Sequence, residues 1–195
     1  MENPYIEPCC YEKWLGILIE EMKGNGGSSC FFTNSDWNES QLLTYLCNRF
    51  PQSELFVTFV QVEQNTAEEL RKLMNRTTVD RESKQNVPLV NHLYLLMQGT
   101  PYNRKAVYDA LSGVEEARIT VCEDRIGFRS ILVKQDEENG CLMQGSLNQF
   151  NGDDTQMVNA SVNKGVMTCM ESVLRGKVKV KTIKNWREAY GDKYL

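Results

Sequence analysis

The sequence predicts an α/β domain: a mixed sheet flanked by helices. Two observations carry this. Apolar, β-rich runs at residues 30–33, 54–62, 89–97 and 117–121 alternate with stretches whose apolar residues recur at helical spacing. One of these runs, ELFVTFVQV, is almost wholly apolar, as expected of a strand buried on both faces.

A chain of 195 residues suits one domain with small appendages. The expected division is an N-terminal helix and Gly-rich turn (1–29), a central α/β domain (30–175) and a basic C-terminal strand with a closing helix (176–195). Hydrophobic content of 41% and charged content of 25% are ordinary for a soluble globular protein. No apolar run approaches the length of a membrane span, and the acidic start MENPYIEPCC lacks a basic-then-apolar signal pattern. The expectation is a cytoplasmic protein without membrane association. Formal charge is −4, but residues 171–195 hold seven Lys and Arg against three Asp and Glu, so a phosphate-seeking surface would be local.

Each element has its own justification. Residues 9–22 put Trp14, Leu15, Leu18, Ile19 and Met22 on one helical stripe, closed by Gly24–Gly27. Cys30-Phe31-Phe32-Thr33 reads as a short buried strand. Asp36 and Glu39 stand at capping-box spacing before a helix with Leu42, Leu43, Leu46, Cys47 and Phe50 inward, with Trp37 stapling its entry and Pro51 ending it. After the strand 54–62, Asn65 and Thr66 cap a helix carrying Ala67, Leu70, Leu73 and Met74. Residues 75–88 are polar and aperiodic, hence an exposed loop, and Leu89–Met97 is the next strand. Helix Asn103–Leu111 follows, then strand Ala117–Val121.

The second half is built around a hairpin. Phe128–Val133 and Cys141–Gln144 are strand-like and flank the polar turn Lys134–Gly140. The hairpin stops at Gly145-Ser146-Leu147-Asn148, where glycine permits a tight turn and the short polar side chains can bond backbone or an anion. A strand near Gln156–Val162 and a helix Lys164–Leu174 come next. Lys177, Lys179 and Lys181 alternate with Val178 and Val180, as on a strand with one charged face, where the lysines would blunt an edge or track a nucleic-acid backbone together with Lys184. A short helix around Trp186 and Tyr190 closes the chain.

A strand, turn, strand and G-S-x-N corner, preceded by strand–helix–strand–helix–strand and followed by a strand and helix, resembles the phospholipase D-like (HKD) phosphodiesterase and nuclease family over residues 30–175. That family's motif is H-x-K-x4-D followed by G-S-x-N. Here Phe128 stands in the histidine slot, Ser130 in the lysine slot and Gln135 at the aspartate; Ser146 and Asn148 are retained. Phe has no lone pair to attack phosphorus, and Ser carries no positive charge. The resemblance therefore implies a single phospholipase D-like domain, a homodimer because the family pairs its half-sites, and a degenerate pseudo-phosphodiesterase. Such a protein would bind nucleic acid or a protein partner, in a bacterial or mobile-element setting, through Ser146, Asn148 and Arg125. Arg129 alternates away from Phe128 and Ser130 and should point to the other face. The family's second acidic position falls near Gln156.

Other chemistry finds little support. His92, the chain's one histidine, opens a strand with no lysine two places on and reads as a structural imidazole. No phosphate loop, serine elbow or metal-ligand spacing occurs, Asp153-Asp154 reads as a solvated loop, and no cofactor is expected. The seven cysteines are odd in number, lack C-x-x-C and read as buried free thiols. Two alternatives stay open: a phosphodiesterase or nuclease with a non-standard active site, and a structural subunit of a phage or secretion assembly. The latter rests on G-V-E-E-A-R-I (113–119), which resembles helix-to-strand corners in small ferredoxin-like ring-forming modules.

Overall fold

The structure, a computed structural model, describes residues 10–24, 27–32, 39–80, 83–145 and 157–191. In chain order the elements are α1 (Cys10–Gly24), β1 (Ser28–Phe32), α2 (Glu39–Arg49), β2 (Ser53–Phe59), α3 (Gln64–Asn75), β3 (Thr77–Val79), β4 (Asn86–Pro88) and β5 (Val90–Met97). Then come α4 (Pro101–Leu111), β6 (Ile119–Glu123), β7 (Ser130–Lys134), β8 (Gly140–Gly145), β9 (Met157–Ser161), α5 (Lys164–Lys181) and α6 (Trp186–Gly191).

Seven strands form a mixed sheet in the order β1-β9-β8-β7-β2-β5-β6. β2, β5 and β6 are parallel, and β7, β8, β9 and β1 extend the sheet antiparallel from β2. The two parallel crossovers run through α3 and α4. Both are covered on one face by a large apolar cluster that also takes in Ile19 and Met22 of α1, Leu42, Leu43 and Leu46 of α2, and Trp186 and Tyr190 of α6.

The opposite face carries a smaller cluster: Phe56, Leu96, Cys122, Ile126, Leu132 and Leu142 under Met167 and Leu174 of α5. α5 starts where the Asn163 side chain accepts the Val166 N–H (3.2 Å). It then crosses the sheet diagonally. Lys164 meets Glu138 in the β7–β8 turn, Glu171 meets Lys134, Arg175 meets Glu54, and Lys177 meets Asp124 just after β6. Beyond α5, Thr182 bridges Cys122 and Ile183 N–H donates to the Val121 carbonyl (2.9 Å), so the tail covers the outer edge of β6 before α6 returns to the large cluster. Gly27, at φ +89°, lies against Asn163, where a Cβ would come within 2.9 Å of its backbone; only glycine fits this junction of β1 with the start of α5.

Several expectations need correction. The alternating lysines are not on a strand: residues 177–181 are the last turns of α5, which runs past the expected end at Leu174. A period of two over five residues is too short to override an apolar stripe, Met167, Met170, Leu174 and Val178, that continues through it at helical spacing. The polar segment 75–88 is not wholly loop, since β3 and β4 pair within it as a short antiparallel hairpin. α3 begins at Gln64 with Glu63 as its cap residue, and Thr66 is buried inside the helix. α4 begins at Pro101, capped by Thr100. The corner 113–119 is a single 3-10 turn leading into β6. Asp36, Trp37, Asp153, Asp154 and Gln156 lie outside the described residues.

Candidate functional site

The carboxyl ends of β2, β5 and β6, the start of β7 and the end of β8 all meet at one pole of the sheet, because β7 runs antiparallel to β2 (Thr58↔Ser130) and β8 to β7 (Ser130↔Gln144). In open α/β sheets this is where ligands bind. The segment 124–129 arches over the pole from β6 to β7, held down by Ile126 and Phe128, which pack on the smaller cluster.

The two positions that the resemblance in sequence sets against the motif's histidine and lysine, Phe128 and Ser130, both lie at this pole. Phe128 is half-buried, its ring part of the apolar packing under α5. Ser130 is fully buried, with its hydroxyl 3.2 Å from that of Thr58. The Ser130 backbone N–H donates to Thr58 Oγ1 (2.7 Å), and the Thr58 hydroxyl lies 3.2 Å from the Phe128 carbonyl it can donate to. Thr58 therefore pins the chain where it enters β7. It was legible only as the single hydroxyl in the apolar run LFVTFV, and sequence reasoning passed over it.

Gln135 does not share this pole. It follows Lys134 at the other end of β7, about 20 Å along the strand from Phe128, and lines a separate cavity of about 440 Å³ with Asn48, Arg49, Gln52 and Val79. Ser146 and Asn148 lie outside the described residues; the chain leaves β8 for them at Gly145, on the same pole as Ser130.

Charge at the pole is arranged in two tiers. Glu123, at the end of β6, accepts from Arg104 through Nε (2.8 Å) and a terminal nitrogen (2.7 Å) and from the Tyr190 hydroxyl (2.6 Å). Burial first, and that carboxylate second, push the Tyr190 hydroxyl above its ordinary value. Asp124 is held below the usual carboxylate range by its hydrogen bond from Lys177, and it also accepts the Arg125 N–H (2.8 Å) and faces Lys181 at 4.0 Å. With Gln98, Gly99 and Thr100 these acids and Arg125 line an open cleft of about 450 Å³. A Cβ on Gly99 would come within 2.2 Å of the Glu123 carboxylate, so a side chain there would push Glu123 off its bonds to Arg104 and Tyr190.

Of the predicted basic row, Lys177 and Lys181 face the pole one helical turn apart, Lys179 points away from them, and Lys184 lies on the exposed tail beyond α5. Arg125 is exposed at the pole. Asn103 was read only as a helix residue, yet it organises the site. Its buried amide accepts from Val62 N–H (2.9 Å) and donates to the carbonyls of Val60 (3.0 Å) and Gln98 (2.9 Å), tying together the chain leaving β2 and the chain leaving β5.

His92 lies on β5 four residues before Leu96, about 13 Å down the strand from the pole. Its Nε2 is 2.8 Å from Thr120 Oγ1 and its ring packs against Tyr94 at 4.3 Å. Burial holds its pKa below the ordinary imidazole value. This is the structural imidazole expected from the sequence. The thiols of Cys47 and Cys141 are buried and pushed up to about 12 and the Cys122 thiol is raised by burial; all three are free, but Cys169, also free, is exposed on α5, against the expectation of burial.

No family model and no curated protein matches the sequence. Solved structures do. Nuc from Salmonella typhimurium, a phospholipase D family member, superposes with a TM-score of 0.51 at 7% identity over 81% of this chain and 98% of its own. The fold is phospholipase D-like. NucT from Helicobacter pylori gives the same TM-score at 9% identity, covering 80% of this chain and 97% of that one. TrmBL2, an archaeal chromatin protein described with a novel mode of DNA binding, gives 0.51 at 11% identity over 89% of this chain; the chain spans 62% of its length. Among the described residues, no helix is long and apolar enough to cross a membrane.

Proposed function

We propose that the chain is a catalytically silent phospholipase D-like binding module, a homodimer with nucleic acid as its partner. The observation that carries this reading is the closure of both reactive slots: Phe128 belongs to the apolar packing and Ser130 is fully buried against Thr58. Neither can attack or grip a phosphoryl group. What remains at the pole can still contact phosphate. Arg125 and Lys181 face it, Lys177 stands beside them through Asp124, and Lys184 extends the positive surface along the tail, whereas Lys179 lies on the other side of α5. Ser146 and Asn148, immediately after Gly145, belong to the same reading as hydrogen-bond donors. The likeness in fold to a DNA-binding chromatin protein supports it.

The test is a fluorescence-anisotropy titration of the full chain with DNA and RNA at two salt concentrations. Binding should fall steeply with salt, and Arg125→Ala and Lys184→Ala should each weaken it and flatten the slope by about one phosphate contact. Absence of binding at low salt overturns the nucleic-acid reading and leaves the protein-partner alternative. Turnover of a chromogenic phosphodiester, abolished by His92→Ala, overturns the non-catalytic reading.

A further inference from the structure

At the end of the sheet away from Phe128 and Ser130, the end of α2, the turn before β2, the outer end of β7 and the β3–β4 hairpin surround the cavity of about 440 Å³ that Gln135 lines. Its wall carries the carboxamides of Asn48, Gln52 and Gln135 and the hydroxyl of Thr78. Among the described residues none of these side chains has a hydrogen-bond partner. The charged groups on the wall are engaged: Arg49 pairs with Glu20, and Asp80 accepts the Ser83 N–H (2.7 Å). Gln52 stands at φ +58°, a left-handed backbone that glycine or asparagine takes more readily. Its N–H donates to the Leu89 carbonyl (2.8 Å) and its carbonyl accepts from the Asn91 amide (2.7 Å), so this corner of the wall is tied on both sides.

The hairpin offers free backbone to the same cavity. Leu89 N–H donates to the Arg76 carbonyl and Asp80 N–H to the Gln85 carbonyl (both 2.9 Å), with Thr78 opposite Val87 between them. Bonded and non-bonded positions alternate in an antiparallel pair, so residues 76, 78 and 80 turn their peptide groups towards β4, while Thr77 and Val79 turn theirs outward. Among the described strands β3 pairs with β4 alone. Thr78, Val79 and Asp80 line the cavity and no residue of β4 does, which sets the cavity along the free edge of β3. The other edge of the hairpin is blunted, since Pro88, opposite Thr77, has no N–H to give. Val79 is 57% exposed, an apolar β-branched side chain on the open edge.

We infer that this cavity docks an extended segment of a partner protein, which adds to β3 as a third strand while Asn48, Gln52 and Gln135 hold its peptide groups. Each carboxamide has both donors and an acceptor, the complement of a peptide group. With Arg49 and Asp80 engaged, nothing unpaired on the wall selects a phosphate, a carboxylate or a cation. A neutral ligand rich in amides fits. The free edge fixes its conformation, because the N–H and carbonyl of Val79 point the same way and are met together only by a strand running alongside. A hairpin of two short strands is marginal by itself, and a third strand would complete it. The cavity lies at the amino end of β2, about 20 Å along that strand from the pole. Docking here therefore leaves the pole open and does not depend on the nucleic-acid reading.

Selection of a random short-peptide library, displayed on phage, against the full chain tests this. The enriched peptide is then synthesised with a fluorescent label and titrated by anisotropy. It should bind the wild type, and Asn48→Ala and Gln135→Ala should each weaken it about 10-fold, one hydrogen bond apiece. Val79→Pro removes an outward N–H without touching a bond of the hairpin, and should abolish binding. N-methylation of the peptide at alternate residues should abolish it from the ligand side. If Val79→Pro changes the far-ultraviolet circular dichroism, the methylated peptides carry that arm of the test. A library that yields no peptide above background overturns the docking site. A peptide indifferent to Asn48→Ala, Gln135→Ala and Val79→Pro binds elsewhere and overturns the assignment to this cavity. A peptide that needs the carboxamides but tolerates methylation in every register is held by its side chains, which overturns strand addition. Each of these outcomes is independent of whether the chain binds nucleic acid.

Discussion

The two faces of the sheet are built on different principles. One is covered by α1–α4 and α6, and its cluster joins residues from all five helices with both sheet wings. Among the described residues the other is covered by α5 alone, whose Met167 and Leu174 lie over six buried residues, and much of its holding power is polar. There Arg175 lies over the rings of Phe56 and Tyr94 at 5.1 and 5.4 Å while pairing with Glu54 and Glu171. Burial alone would raise the Glu171 carboxyl, but the hydrogen bonds from Lys134 and Arg175 outweigh it and hold it low. The thick face supplies stability. The thin face holds Phe128, the cationic end of α5 and its exposed valines, Val166, Val173 and Val180.

The largest effect should come from reinstating charge in a closed slot. Ser130→Lys would put an ammonium where Ser130 is fully buried against Thr58, and should cost about 3–5 kcal/mol in urea unfolding. An unchanged midpoint would mean that the slot still opens to solvent, and would revive an active-site reading. The contrast between faces is sharpened by a matched pair. Leu70 and Leu174 are both fully buried, one in each cluster. Leu70→Ala should cost about 3–5 kcal/mol and Leu174→Ala about 2–3 kcal/mol, because a single helix can settle into the space where a five-helix layer cannot. Equal losses would break the comparison. Asn103→Ala should follow at about 2 kcal/mol, since three buried backbone groups lose their partner at once. Asn103→Asp would keep the acceptor and lose both donations, and should not rescue.

Much of this architecture was legible. Apolar runs and helical spacing placed all seven strands of the main sheet, and every long helix except the carboxyl end of α5, within a few residues, because each signal is local and strong. The hairpin 128–144 and its corner, with the order of elements around them, carry the resemblance to the phospholipase D-like fold that the structure has. What failed was short or non-local. Five alternating residues at 177–181 mimicked a strand, and only the apolar stripe continuing from Met167 through Val178 could have overruled them. The β3–β4 hairpin buries too little to leave a pattern. Thr58 and Asn103 act across 72 and 41 residues of chain, respectively, and no window of sequence contains their partners. The distance between Gln135 and Phe128 was in fact implicit, since seven residues of extended strand cannot return to one pocket.

The smallest expected effect concerns pH and tests which side of the comparison His92 serves. Its imidazole lies on the α5 face, bonded to Thr120 and stacked on Tyr94, and burial depresses its folded-state pKa. Glu54 pulls that value up while Arg175 and Arg118 push it down. A depressed histidine binds its proton more readily when the chain is unfolded. Its stabilising share is therefore complete above about pH 6.5, the unfolded value, and is lost as pH falls from there through the folded value. Carboxylates such as Asp124 and Glu171, which are held low, begin to lose their own contribution only below about pH 4.5. Between about pH 6.5 and 5 the melting midpoint of the wild type should therefore decline slightly, and His92→Gln should flatten that decline while keeping a bond to Thr120. If the decline persists in His92→Gln, the titrating group lies elsewhere. If instead the variant loses nucleic-acid affinity with its stability unchanged, His92 serves recognition and not packing, and the thin face carries function further from the pole than its geometry suggests.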